Sequence, residues 1–255
     1  MKLRLTLFIL VSQAASAFCQ LRQNTFTITP EEPNNLVLSV GSAYPLRDAL
    51  EYLNHEYGWR ISYEDPLYPN SELTDYAIPE WKRKHPGERG FYAPKFTEMR
   101  FRITKPAGRK GERNKIVGEL VGQFNGTGRE EKFKLIDASH DRQVVVGTIN
   151  GQGALDLPTV GPELKPRNGS VELYSLTQKC SQKMPLPMVS GTVSGNMLES
   201  ITLPPRKSLT KCRDAILGLT EQGGDDVVYF MNEDANGRTF VMNIVPNRIV
   251  IATPK

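Results

Sequence analysis

Residues 36–63 read LVLSVGSAYPLRDALEYLNHEYGWRISY. Residues 36–40 form a short run of mostly branched side chains. The Asn34-Asn35 pair before it and Gly41 after it limit the run to the length of a strand. A helical face follows, with apolar residues at i, i+3, i+4, i+7 and i+11: Leu46, Ala49, Leu50, Leu53 and Tyr57. Gly58 ends this helix, and a second strand follows it. The segment therefore predicts a strand–helix–strand unit whose helix covers one face of a sheet.

The same order recurs twice downstream. A second apolar stripe lies between residues 113 and 124, and a third follows Ser208 with Leu209, Cys212, Ala215, Ile216 and Leu219. The first and third copies also have a similar sequence, because Arg47-Asp48-Ala49-Leu50 matches Arg213-Asp214-Ala215-Ile216. The pattern predicts an α+β fold of two or three small two-layer strand–helix–strand units with short mixed sheets, after a signal peptide that is cleaved.

Composition and periodicity divide the chain into five parts. They are a signal peptide (1–17), an N-terminal tether or edge strand (18–33), a first α/β region with a basic loop at 81–115 (34–150), a linker rich in proline and glycine (151–195), and a C-terminal α/β unit (196–255). The 255 residues are 39% hydrophobic and 24% charged, which is typical of a globular protein.

The first 17 residues have the three-part order of a secretory signal peptide. Lys2 and Arg4 provide a positive start, a short apolar run follows, and Ala15-Ser16-Ala17 supplies small residues for cleavage. The apolar run is far shorter than the roughly 20 residues of a membrane-spanning helix. We therefore expect an exported protein, periplasmic or extracellular, without a transmembrane segment in its mature part. Lipidation at Cys19 is the less favoured alternative because Phe18 replaces the small residue that such a site requires.

Cys180 and Cys212 are the candidate disulfide pair, because Cys19 lies near the expected mature terminus. Export places them in an oxidising compartment, where disulfides persist. The alternative is that Cys212 is only a small apolar residue on a helix face. The cysteines and histidines show no spacing that suits zinc, and we expect no cofactor.

Residues 34–66 resemble the secretin and TonB short N-terminal domain. The strand at 36–40 carries the resemblance, together with the helix positions Leu46, Ala49, Leu50 and Leu53 and then Gly58, Ile61 and Tyr63. The resemblance implies a small two-layer α/β unit that serves as a periplasmic docking or signalling module in front of an outer-membrane transporter or a secretin ring. The sequence contains no transporter or ring-forming region after this segment, so only the docking role carries over. The remainder of the chain is not assigned to a family.

Residues that could perform catalysis are few and scattered. The histidines fall on a helix surface (His55), in a basic loop (His85) and in a turn between strands (His140). The sequence contains neither a G-x-S-x-G nucleophile elbow nor a phosphate-binding glycine loop. The adjacent carboxylates Glu64 and Asp65 should point apart, which suits exposure better than acid–base chemistry. These patterns favour a protein that is not an enzyme.

The segment 81–115 concentrates positive charge. It contains 12 Lys or Arg and 3 Asp or Glu, a net charge of +9 in a chain whose total is +4. Such a segment can attract an anionic partner over a long range, and its candidate surface comprises Lys82, Arg83, Lys84, Arg109 and Lys110. The alternative is a solvated loop whose charges serve solubility. The expected partner is an envelope protein or an anionic envelope polymer, and nucleic acid is not expected.

We therefore expect an exported, non-catalytic docking or interaction module of the cell envelope, whose partner and oligomeric state the sequence leaves open. The alternative is a secreted or periplasmic hydrolase that acts on envelope polysaccharide or peptide. A deep pocket with converging carboxylates or a histidine would favour the hydrolase. An unpaired sheet edge beside residues 36–40 would favour docking by strand addition.

Overall fold

The computed structural model describes residues 24–31, 34–88, 90–109, 111–138, 142–193, 197–224 and 227–247. The expected signal peptide (1–17), Cys19, Lys110 and His140 lie outside these residues. The helices are α1 (Pro45–Tyr57), α2 (Pro79–Lys84), α3 (Glu112–Asn125), α4 (Gly169–Ser181) and α5 (Cys212–Gln222).

The strands follow in chain order. They are β1 (Thr25–Glu31), β2 (Asn35–Ser42), β3 (Arg60–Glu64), β4 (Leu73–Asp75), β5 (Tyr92–Pro94), β6 (Thr97–Thr104), β7 (Lys132–Asp137), β8 (Arg142–Thr148), β9 (Thr159–Val160), β10 (Arg167–Asn168), β11 (Met188–Val193), β12 (Thr202–Leu203), β13 (Thr210–Lys211), β14 (Val227–Asp234) and β15 (Thr239–Pro246). These elements confirm the α+β class, since helices and several mixed or antiparallel sheets occur together.

The central feature is a six-stranded mixed sheet in the order β11-β15-β14-β3-β8-β7. Its strand β3 pairs in parallel with β8 on one side and with β14 on the other, so that Tyr63 lies opposite both Val145 and Phe230. The first and third strand–helix–strand segments of the sequence therefore share one sheet. Their strands are neighbours in space although they lie at opposite ends of the chain.

Alternate residues of the central strands point to opposite faces of this sheet. Val145 of β8 belongs to one apolar core, whereas its neighbours Val144 and Val146 belong to a second. The first core also contains the apolar residues of α1 and α3, and the second contains those of α4 and α5. Helices on both sides explain why β8 is buried along its whole length.

A smaller antiparallel sheet, β1-β2-β6, packs into the first core. Its middle strand β2 buries Leu36, Leu38 and Val40 there, as the apolar pattern of residues 36–40 predicts. Helix α1 follows, and Gly58 ends it with a φ of 64°, a left-handed conformation that glycine adopts readily at a helix C-terminus. Of the two alternatives for residues 18–33, the described part is an edge strand, β1.

The segment 151–195 differs from the expected linker, because it contains α4 and β11, an edge strand of the central sheet. The buried apolar stripe of α4 is short, comprising Leu173, Leu176 and Cys180. Strands β9 and β10 have only two residues each. Such short elements leave no periodic pattern in the sequence, and their pairing with β13 and β12 depends on the tertiary structure.

The segment 81–115 is not a single loop. It includes most of α2, all of β5 and β6, and the start of α3. β6 alternates strictly, since Met99, Phe101 and Ile103 are buried while Arg100 and Arg102 face the solvent. Part of the positive charge of this segment therefore belongs to the outer face of a sheet.

Cys180 and Cys212 form a disulfide, with an Sγ–Sγ distance of 2.07 Å and a Cα–Cα distance of 6.0 Å. The bond joins the last turn of α4 to the first turn of α5, and both sulfur-bearing residues are fully buried. The open question about Cys212 is thereby answered: it is an apolar helix residue and a disulfide partner. No helix in the described part of the chain is both long and apolar enough to cross a membrane.

Removing this disulfide should destabilise the protein. The two cysteines are 32 residues apart, and closing a loop of that size contributes about 3–4 kcal/mol in the chain-entropy treatment. We expect the Cys180→Ala/Cys212→Ala variant to lose about that much free energy of unfolding in urea titrations. A reductant should destabilise the wild type by a similar amount and leave the double variant unchanged. A loss below about 1 kcal/mol would contradict a stabilising role.

Candidate binding surfaces

The carboxylates Glu64 and Asp65, at the end of β3, are both fully buried. They bind groups of opposite cores, since Glu64 contacts Tyr229 of the second core and Asp65 contacts Tyr63 of the first. The prediction that they point apart is consistent with these contacts, but the prediction of exposure is wrong. The sequence did not reveal the partners that make burial of the two charges possible.

Arg213 of α5 holds Glu64 in a two-point ion pair, with Nε–Oε1 and Nη2–Oε2 distances of 2.7 Å each. Its Nη1 donates to Oδ1 of Asp156 at 2.6 Å, and Oδ2 of Asp156 accepts from Lys134 Nζ at 2.7 Å. The hydroxyl of Tyr229 donates to Glu64 at 2.6 Å. Each charge in this network has an opposite charge beside it, which offsets the cost of removing it from water.

Asp65 is surrounded by hydrogen-bond donors. The hydroxyls of Tyr63 and Tyr68 donate to Oδ1 at 2.7 and 2.9 Å, and the backbone N–H of Glu233 donates to Oδ2 at 2.9 Å. Burial raises the pKa of Asp65 to about 6, although these bonds and the positive charge of Arg47 oppose the shift. The carboxyl group links strand β3 to β14 and to the segment that follows β3.

Arg47 and Arg213 occupy matching places in the repeated Arg-Asp-Ala motif. Helix α1 covers one face of the central sheet and α5 covers the other. Arg213 pairs with Glu64, whereas Arg47 is close enough to Asp65 to lower its pKa. The two copies of the motif therefore provide positive charge for adjacent carboxylates on opposite faces of β3.

The described histidines do not meet a nucleophile or a carboxylate pair. His55 is exposed on α1. The ring of His85 stacks on Trp81 with a centroid distance of 4.7 Å, and its Nδ1 lies 3.2 Å from Glu88. Within the described ranges, no group of three or more His, Cys, Asp or Glu side chains is placed to hold a metal ion.

The candidate basic residues have different surroundings. Lys82 pairs with Asp75 at 2.9 Å and Lys84 pairs with Glu80 at 2.8 Å, so two of the three charges on α2 are partly neutralised. Arg83 and Arg109 are exposed and have no charged partner in the part of the chain that the structure describes. Arg109 lines a separate cavity near the start of α3. Lys110 lies outside the described residues.

β1 forms one outer edge of the three-stranded sheet, and six of its seven residues are exposed. Phe26 and Ile28 remain 38% and 42% exposed, although they lie opposite Val40 and Leu38 on the apolar side of the sheet. The ring of Phe26 contacts that of Tyr52 on α1, with a centroid distance of 5.4 Å. The apolar face of the sheet thus extends beyond the helix that covers it.

The hydrogen-bond pattern determines which backbone groups of β1 face outward. In an antiparallel sheet, each residue directs its N–H and C=O to one neighbour, and alternate residues serve the other neighbour. The N–H of Lys105 donates to the oxygen of Asn34 at 2.7 Å, so even-numbered residues of β2 face β6 and odd-numbered ones face β1. The register leaves Phe26, Ile28 and Pro30 directed away from β2. Pro30 is compatible with this because its nitrogen has no hydrogen to donate.

The opposite edge of the same sheet is covered by side chains. Gln123 of α3 accepts from the N–H of Arg102 at 2.8 Å and donates to its carbonyl at 2.7 Å, as a neighbouring strand would. Glu119 accepts from the N–H of Thr104 at 3.3 Å. No residue in the described ranges bonds to the outward backbone groups of β1. β2 itself is paired on both sides, so the open edge lies one strand further out than residues 36–40.

No protein-family model matches the chain, and no curated protein or solved structure is significantly similar to it. The resemblance of residues 34–66 to the secretin and TonB short N-terminal domain therefore stays a prediction, carried by the residue pattern.

The sequence pattern does not predict the roles of several residues in these surfaces. Asp156 and Lys134 lie in segments without a motif, and Gln123 lies off the apolar stripe of α3, where a polar residue is ordinary. The repeated Arg-Asp-Ala motif was the one signal that could have identified Arg213. The acid at the end of strand β3, Glu64, would have been the natural partner to seek.

Removing one partner of the buried network should cost more stability than removing an exposed pair. Glu64→Ala leaves Arg213 without its main partner, and we expect the free energy of unfolding to fall by about 3–5 kcal/mol. The double variant Glu64→Leu/Arg213→Met should lose less free energy of unfolding, because neither charge of the pair stays buried without its partner.

Urea unfolding of these variants provides the measurement. Lys82→Ala is the matched control, since the Lys82 side chain is half exposed and its pair with Asp75 should contribute at most about 1 kcal/mol. Equal losses for Glu64→Ala and Lys82→Ala would contradict the structural importance of the network.

A proline scan should reveal which side of β1 is open. Ile28→Pro removes an outward N–H and should change the free energy of unfolding by less than about 1 kcal/mol. Thr27→Pro removes an N–H that donates to β2 and should cost about 2 kcal/mol or more. Thermal and urea unfolding of the two variants test the alternation, and the reverse order of stability would show that the register is different.

Proposed function

We propose that this chain is an exported, non-catalytic docking module of the cell envelope that binds an extended segment of a partner protein at the free edge of β1. The observation that carries the proposal is the contrast between the two edges of the three-stranded sheet. Side chains of α3 cover the β6 edge, whereas the outward backbone groups of β1 have no partner among the described residues.

An open strand edge is a template for another strand. It offers a row of N–H and C=O groups, which here have no partner among the described residues, and a partner strand adds backbone hydrogen bonds to them. In β1 the outward groups are those of Phe26 and Ile28 together with the carbonyl of Pro30. The missing N–H of Pro30 removes one donor at that end of the strand.

The side chains beside the edge indicate the chemistry of the partner. Phe26 and Ile28 lie on the same side as the apolar face of the sheet, next to the ring of Tyr52. A partner strand with apolar residues at alternate positions would continue this face and remove Phe26 and Ile28 from water. On the other side of the sheet the exposed ion pair of Arg102 and Glu31 favours polar residues at the intervening positions.

Two features support an extracytoplasmic location. The first 17 residues follow the order of a signal peptide. The Cys180–Cys212 disulfide is compatible with an oxidising compartment, where such bonds persist. The buried acids Glu64 and Asp65 are engaged by the protein's own donors, which supports docking over acid–base chemistry at this position.

Photo-crosslinking in intact producing cells tests the proposal. A photoreactive amino acid at position 28 should give one discrete adduct with another protein. The matched control is position 171, where Val171 is also exposed but lies on helix α4 and not on the edge strand β1. An Ile28→Pro change should reduce the adduct formed from a photoreactive residue at position 26 at least tenfold, because it removes an outward donor.

Three outcomes would count against the proposal. Identical adducts from positions 28 and 171 would indicate nonspecific contact. The absence of any adduct from position 28 would indicate that the edge is unused. An adduct with twice the mass of the protein would identify a second copy as the occupant, in place of a different partner.

A further inference from the structure

A cavity of about 690 Å³ lies where the end of α1, the start of β3 and the N-terminus of α3 meet. We name it the Trp59 cavity, and it is lined among others by Tyr57, Trp59, Arg109, Arg113, Asn114 and Gln143. It is separate from the edge of β1 and from the buried network around Glu64. Its size is in the usual range for small-molecule sites, which is about 300–1,000 Å³.

The acidic residues of the Trp59 cavity are already engaged by the protein. Glu112 accepts hydrogen bonds from the backbone N–H groups of Ala107 and Gly108 at 2.8 and 2.7 Å. Asp137 accepts from the side-chain amide of Asn114 at 3.1 Å. The guanidinium of Arg109, by contrast, has no partner in the described part of the chain. Both carboxylates keep their negative charge, but Arg109 is the one of these three charged groups whose side-chain polar atoms are not engaged by described residues, so it can pair with an anion.

The N-terminus of α3 adds to this preference. The N-cap residue is Gly111, which has no side chain to accept from the first N–H groups of this 14-residue helix. The partial positive charge of an uncapped helix N-terminus favours a bound anion. Arg113, in the first turn, lies over the ring of Trp59 at 5.8 Å from its centroid and extends the positive region along an aromatic wall.

A buried acceptor provides a second and independent observation. Gln143 lines the cavity and is 1% exposed. Its Nε2 donates to Oδ1 of Asn114, but its Oε1 has no hydrogen-bond partner within the described residues. An unpaired buried acceptor costs free energy, and a ligand with a hydroxyl group could satisfy it after a small movement of the side chain.

The geometry points to an acidic sugar, a uronate unit of an anionic polysaccharide, as the ligand of the Trp59 cavity. The carboxylate of a uronate matches Arg109 and the N-terminus of α3. Its hydroxyl groups can donate to Gln143, and its apolar C–H face can lie against the rings of Tyr57 and Trp59, which are 5.8 Å apart. A simple anion would match only the positive charge of Arg109 and the α3 N-terminus. A neutral sugar would match only the Gln143 acceptor and the two aromatic rings.

Calorimetric titration of the purified mature protein tests this assignment, with trigalacturonate as the probe and cellotriose and inorganic sulfate as comparisons. We expect trigalacturonate to bind at least tenfold more tightly than either comparison. Arg109→Gln should weaken the binding of trigalacturonate at least tenfold. Arg83→Gln is the matched control, because Arg83 is also exposed and has no charged partner among the described residues but lies on α2, and it should change the affinity less than twofold.

A second variant separates binding from folding. Gln143→Met removes the unpaired acceptor while keeping a similar volume, and thermal unfolding checks that the variant is folded. It should weaken trigalacturonate binding but leave sulfate binding unchanged. Equal binding of cellotriose, equal losses in the Arg83 and Arg109 variants, or no binding of trigalacturonate at millimolar concentration would each overturn the assignment. None of these results depends on the partner of β1.

Discussion

The burial of both faces of the central strands β3, β8 and β14 is the constraint on which the rest of the structure depends. β3 lies between two parallel neighbours and under helices on each side, so any polar group on it must find a partner inside the protein. Glu64 forms an ion pair with Arg213, and Asp65 accepts hydrogen bonds from the hydroxyls of Tyr63 and Tyr68. These contacts join the N-terminal and C-terminal parts of the chain into one unit.

The same constraint places the candidate functional surfaces at the periphery. Around β3 the interior is filled by close-packed side chains and paired charges. The open edge of β1 and the Trp59 cavity lie where helix cover ends: beyond Tyr52 of α1 in one case and at the N-terminus of α3 in the other. Polar groups without partners can persist at such places because water or a ligand can reach them.

Short-range patterns predicted part of this architecture. The spacing of apolar residues identified α1 and the strand at 36–40, and the position of Cys19 near the terminus left Cys180 and Cys212 as the candidate disulfide pair, which the structure confirms. The segment 151–195 was missed because α4 buries a short stripe and its neighbouring strands have two residues each. The basic segment 81–115 was identified by its charge, but the charge is divided between α2, the outer face of β6 and the Trp59 cavity.

The sequence by itself determined the local elements, since helical and strand periodicities need only neighbouring residues, and it determined the class of the fold. Only the tertiary structure decided that β3 pairs with β14 and β8, which edge of the small sheet is open, and how Glu64 and Asp65 are buried. These features depend on contacts between residues far apart in the chain, such as Arg213 with Glu64 and Gln123 with Arg102. No local pattern encodes the distance between two such residues, because the packing of whole elements sets it.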